Sequence, residues 1–124
     1  MNYLWENTGK IIPNQPPEID EGNREYKLKL TCNHKIHKIA TQLRYRLYEG
    51  EGKAVYLIGV SDDGKSDGLD ISQLSDSINY LIEACQILSK DSGDNIQIEK
   101  IRIYHGKTPN SFVSTIRIKG DLFS

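Results

Sequence analysis

Long apolar runs are missing from this sequence, since no stretch approaches the roughly 18 consecutive apolar residues that a membrane helix needs. Residues 1–10 also lack the basic-then-apolar order of a secretory signal. No membrane partner is expected, and the setting reads as intracellular and cytoplasmic. Cysteine is scarce as well: Cys32 and Cys85 are the two in the chain, and both are expected inward as small apolar filler, on a strand and on a buried helix face. A disulfide between them runs against the reducing conditions of the cytosol. Charge of one sign is not in excess, with a net charge of −1, so any pull on a polyanion has to come from local sorting. No Ser-His-Asp, Cys-His or paired-carboxylate arrangement is legible, because such groups meet in space rather than in sequence. No catalytic residue is assigned and no enzyme is expected. His34 and His37 follow Cys32 closely, yet no fourth ligand is placed to close a tetrahedral site, so no metal is assigned.

What is present includes a literal match to the phosphate-loop pattern G-x-x-x-x-G-K-[ST], at Gly59-Val-Ser-Asp-Asp-Gly-Lys-Ser66. A working loop of this kind leads from a buried strand into a helix whose N-terminal amides hold the phosphates. Here Ser66 is followed by Asp67-Gly68-Leu69-Asp70, and no helical period starts before about Leu74. Asp62, Asp63, Asp67 and Asp70 would repel a phosphate that Lys65 alone attracts. The pattern reads better as a β-hairpin turning at Asp63-Gly64, with a short return strand through Leu69 to Ile71. A small nucleotide-binding protein using Gly59, Gly64, Lys65 and Ser66 stays as the alternative.

At 124 residues the chain fits one domain. Residues 1–22, with Pro13, Pro16 and Pro17, read as an extended arm; residues 23–120 as one α+β domain; residues 121–124 as a tail or linker. Tyr26, Leu28, Leu30 and Cys32 alternate with Lys27, Lys29 and Thr31, the period of a half-buried strand. Asn33 is a plausible cap for a helix carrying Ile36, Ile39, Ala40, Leu43 and Leu47 inward, stopped by Gly50 and Gly52. A second helix buries Leu74, Ile78, Leu81, Cys85 and Leu88 and ends at Gly93. Ile96 and Ile98 share one parity and Ile101 and Ile103 the other, which predicts a bulge near Glu99-Lys100. The expected order is β-α-β-β-α-β-β, a mainly antiparallel sheet with two helices packed on one face.

Charge is sorted along the chain. Residues 24–53 hold eight Lys or Arg against three Asp or Glu, and residues 54–99 hold two against nine. Lys27, Lys29, Lys35, Lys38, Arg44, Arg46, Arg117 and Lys119 are the candidates for contact with RNA, because phosphate contacts supply most sequence-independent affinity. If the first and last strands are neighbours, Lys27, Lys29, Arg117 and Lys119 form one basic stripe. The ordinary reading is that exposed strand faces carry solvated side chains and edge protection.

Three segments together resemble a known family: Glu21-Gly-Asn-Arg-Glu-Tyr-Lys-Leu-Lys-Leu30, Thr41-Gln-Leu-Arg-Tyr-Arg-Leu-Tyr-Glu-Gly-Glu-Gly-Lys-Ala-Val-Tyr-Leu-Ile-Gly-Val-Ser-Asp-Asp-Gly64, and Asp67-Gly-Leu69. They are similar to the region in front of the GTPase domain in the GTP-binding protein 1 and 2 family, which looks like the elongation-factor type of translational GTPase. Ser114-Thr-Ile-Arg-Ile-Lys119 is similar to the strand leading into that domain. Between Thr31 and Ala40 the chain departs from the pattern, with Asn33-His34-Lys35-Ile36-His37 in place of an aromatic and acidic run. The resemblance implies that Asp62-Asp63-Gly64 is not the family's phosphate loop, and that GTP and magnesium belong to a GTPase domain outside these residues. It implies an accessory domain that contacts RNA, the ribosome, a translation factor or a GTPase domain in cis or trans. A protein-interaction or dimerisation scaffold, meeting another chain through a sheet edge or the Trp5 arm, is the reading from a different class.

Overall fold

The computed structural model describes residues 5–121, so residues 1–4 of the expected arm and 122–124 of the expected tail lie outside the described residues. In chain order the elements are β1 (Trp5–Ile11), β2 (Arg24–Lys27), α1 (Ile36–Glu49), β3 (Lys53–Ile58), α2 (Ile71–Ser92), β4 (Ile96–His105) and β5 (Phe112–Gly120). The fold is α+β, two helices on a five-stranded sheet of order β1-β4-β5-β3-β2. Antiparallel pairings of β5 with β3 and with β4 hold the centre, and parallel pairings of β1 with β4 and β2 with β3 add the two edges. The sheet is therefore mixed.

Alternation decides the core. Tyr56, Ile58, Ile116, Ile118, Ile101 and Ile103 share one face of the sheet and pack with Leu43 and Leu47 of α1 and Leu74, Ile78 and Leu81 of α2. Each such side chain, fully buried, contributes on the order of 1.5–3 kcal/mol relative to exposure. The parity change expected in β4 is real: the register to β5 shifts between Ile98 and Lys100, so both pairs of isoleucines turn toward the helices. A second, smaller core lies on the opposite sheet face, where Ile12 of the N-terminal segment packs with Tyr26, Leu57, Val60 and Val113.

Several local expectations change. Residues 5–11, read as arm, form β1, an edge strand whose side chains are exposed on both faces and which leaves no apolar alternation to read. The strand expected from Tyr26 to Cys32 stops at Lys27; Tyr26 and Leu30 are buried as expected, but Leu28 is exposed and Cys32 lies at the surface. Lys35, not Asn33, holds the N-cap position of α1, and no side chain caps that helix. The return strand after the Asp63-Gly64 turn shrinks to a single bridge, Leu69 with Phe112, because Asp70 caps α2 by accepting a 2.8 Å bond from the Gln73 amide and Ile71 is already helical. At the other end of α2, Gly93 takes the left-handed conformation, as the expected stop requires.

Candidate nucleic-acid interface

The phosphate-loop-like segment is a closed turn. The Ser61 amide donates to Lys65 O at 3.1 Å, the Gly64 amide to Ser61 O at 2.8 Å and the Gly68 amide to Gly59 O at 3.0 Å. Asp63 accepts from the Ser61 hydroxyl and from the Lys65 amide, contacts that hold its carboxyl below the usual carboxylate range. Ser66 is buried, its hydroxyl donating to Pro13 O at 3.0 Å and its amide to Asn14 Oδ1 at 3.1 Å. The N-terminal segment thus sits where a phosphate would have to sit, and the next helix starts at Ile71 rather than at Ser66. Of the four residues in the motif, Gly59, Gly64 and Ser66 are buried, and Lys65 points to solvent beside Asp63.

The basic candidates separate into three groups. Arg46 is inside the protein: its Nε donates to Glu25 Oε1 at 2.8 Å, and its two terminal nitrogens donate to the carbonyls of Ile19, Asp20, Glu21 and Gly22. With 3% of its surface exposed, it presents no donor to an outside phosphate. Lys27 shares the helix-facing side of β2 and lies 3.5 Å from the same Glu25. Lys29 is exposed in the loop beyond β2, while Lys35, Lys38 and Arg44 are exposed at the start and along the outer side of α1.

Arg117 and Lys119 lie on the sheet face that the helices leave open. They do not join Lys27 and Lys29, because β3 intervenes between β5 and β2 and Lys27 has the opposite parity. Their neighbours are cations that the sequence pattern did not single out. Lys53 of β3 pairs directly with Lys119, and Lys100 of β4 pairs directly with Arg117. Lys100 and Arg102 share Glu6 of β1, at 3.0 and 3.6 Å, and the bonded Lys100 holds the Glu6 carboxyl below its ordinary value. A depression of about 330 Å³ opens among Asn23, Lys53, Val55, Glu99, Lys100 and Arg117, and a second one at its rim is bounded by Trp5, Glu6, Glu99 and Lys100. Cross-strand register is what assembles this group, and only the strand order could have revealed it.

Comparison with known proteins places the chain beside one named protein. No family model matches it, and no solved structure does. GTP-binding protein 2 of Mus musculus and of Homo sapiens are each 40% identical to it over 81 residues, 64% of this chain and 14% of theirs. This chain is similar to a small part of GTP-binding protein 2. An uncharacterized protein, R625 of Acanthamoeba polyphaga mimivirus, is 38% identical over 77 residues, 60% of this chain and 41% of its own. Among the described residues no helix is long and apolar enough to cross a membrane, and no three His, Cys, Asp or Glu side chains gather as a metal cluster. Cys85 is buried, which pushes its thiol up to about 12, and Cys32 stands free at the surface.

Proposed function

We propose that this chain is a non-catalytic accessory module of the kind that forms a small part of GTP-binding protein 2, and that it binds RNA, bringing it to a GTPase domain supplied in cis or in trans. The similarity to that protein supports the relation. The observation that carries the non-catalytic reading is the phosphate-loop-like turn, whose Ser66 amide and hydroxyl are bonded to the N-terminal segment and which no helix follows directly. RNA is favoured because exposed cations stand opposite one another across the open face of the sheet despite a net charge of −1.

Titration of the purified chain with fluorescent GTP and with labelled RNA across a salt series tests this reading. RNA affinity that falls steeply as salt rises, with no saturable nucleotide binding, is the expected result. Nucleotide binding abolished by Lys65→Ala would overturn it in favour of the loop. Silence toward both ligands would overturn it in favour of a protein-interaction domain.

A further inference from the structure

Strand β5 is the central strand of the sheet, so Arg117 and Lys119 do not protect an edge from pairing with other chains. Nor is their arrangement the usual way of solvating a sheet face, which sets opposite charges across neighbouring strands. Side chains directly opposite in an antiparallel pair have their Cβ atoms roughly 4.5–5.5 Å apart, and like charges there are destabilising. This sheet places Lys53 opposite Lys119 and, on the other side of β5, Lys100 opposite Arg117. Glu6 answers Lys100 and Arg102, and Glu99 rises from the bulge beside Lys100; no carboxylate among the described residues is ion-paired with Lys53, Arg117 or Lys119. Two like-charged cross-strand pairs on three adjacent strands repel in the free protein and are relieved by a bound polyanion.

The rest of the surface narrows the ligand. The N-terminal segment covers the other half of the face, with Ile12 buried against Tyr26, Leu57 and Val113, so the open half is bounded on one side by the arm and on the other by β1. On the β1 side Trp5 pairs with Ile101 and so shares the helix-facing side, which leaves Glu6 as the β1 side chain beside Lys100 and Arg102 on the open half. A row of cations that crosses adjacent strands suits an RNA backbone, whose successive phosphates can follow the charge. A mononucleotide would reach only part of this surface, which runs across β1, β4, β5 and β3.

We propose that the open half of the sheet face is the RNA site, with Lys53, Arg117 and Lys119 contacting successive phosphates and Lys100 shared between Glu6 and the RNA. This rests on the RNA reading above and assigns it to the sheet rather than to α1.

The test follows the anisotropy of an end-labelled single-stranded RNA of mixed sequence for three proteins. In the wild type, the anisotropy saturates and the affinity falls as salt rises. The variant Lys53→Ala/Arg117→Ala/Lys119→Ala binds at least about tenfold more weakly and loses about 2 from the slope of log K against log salt, the value for three phosphates on a single strand. Its thermal midpoint stays at or above that of the wild type, because like-charged neighbours have been removed. The variant Lys35→Ala/Lys38→Ala/Arg44→Ala keeps its affinity within about twofold, as expected of cations outside the site. Affinity lost in the helix variant and kept in the sheet variant would overturn the assignment and leave the RNA reading standing. A wild type that binds no RNA would overturn both readings.

Discussion

Arg46 shows how a residue that looks like a phosphate ligand in the sequence becomes a structural clasp. It sits among Lys35, Lys38 and Arg44 in a basic stretch, but its position in α1 turns it toward β2, where Glu25 and four carbonyls of residues 19–22 take up its donors. Removing one partner of a buried ion pair leaves the other charge unanswered. Arg46→Met is therefore expected to cost about 3–5 kcal/mol in denaturant unfolding, with much of the loss recovered when Glu25→Gln is added. Glu18 supplies the pH dependence. Its carboxylate accepts from the Tyr26 amide, but burial together with the nearby Glu25 and Asp62 raises its pKa above the ordinary carboxylate value. The folded state then holds the Glu18 proton more tightly than the unfolded state does. The ionised group weakens the fold at neutral pH, and that cost is relieved as pH falls through the raised value toward the ordinary one. Glu18→Gln, which can still accept from Tyr26, is expected to raise the thermal midpoint at pH 7 and to narrow its difference from the wild type as pH falls. A lower midpoint at pH 7 would contradict this account.

At the scale of elements, the 59–68 turn is where the sequence pattern and the structure meet most closely. The reversal at Asp63-Gly64 was legible because an Asp-Gly pair after an apolar strand has few other conformations to choose from. The length of the return strand was not, since Leu69 followed by Asp70 serves equally as the end of a strand or the entry to a helix. The choice fell to the helix because Asp70 caps it and Phe112 offers pairing for one residue only. Gly64 ties the turn to the N-terminal segment. Its φ is +91°, and a Cβ there would stand 1.9 Å from the Gln15 carbonyl oxygen, which belongs to the segment that covers the loop. Gly64→Ala is expected to cost about 1–3 kcal/mol through backbone strain and displacement of residues 13–16, measured by denaturant unfolding, with faster amide exchange at Ser66 as the local sign.

The whole molecule is held by pairings far apart in sequence. Trp5 pairs with Ile101, and both edge strands run parallel to their neighbours, so much of the sheet must wait for distant segments to meet. Loop-closure entropy is met before such contacts form, and folding is expected on a millisecond-to-second scale rather than in microseconds. Stopped-flow refolding monitored by Trp5 fluorescence checks this; a fast phase carrying the full amplitude would mean that β1 docks early and locally. The same topology separates the two basic surfaces, with the helical layer on one side of the sheet and the open face on the other, so one rigid ligand cannot occupy both.

Both helices, the bulge in β4 and the α+β class follow from the residue pattern of the chain, because apolar periodicity and helix stops are local properties that survive any arrangement of the elements. The same pattern dictates that Gly59-Val-Ser-Asp-Asp-Gly-Lys-Ser66 leads into no immediate helix, since Gly68 and Asp70 follow within a few residues. Strand order was beyond its reach: parallel edges, a central β5 and the pairing of Lys53 with Lys119 arise from contacts between segments that no spacing rule links. Which cations are structural and which face solvent was set by the packing of the elements, because that depends on the parity of each side chain against a neighbouring strand. Arg46 went to the core and Arg117 to the open face for this reason.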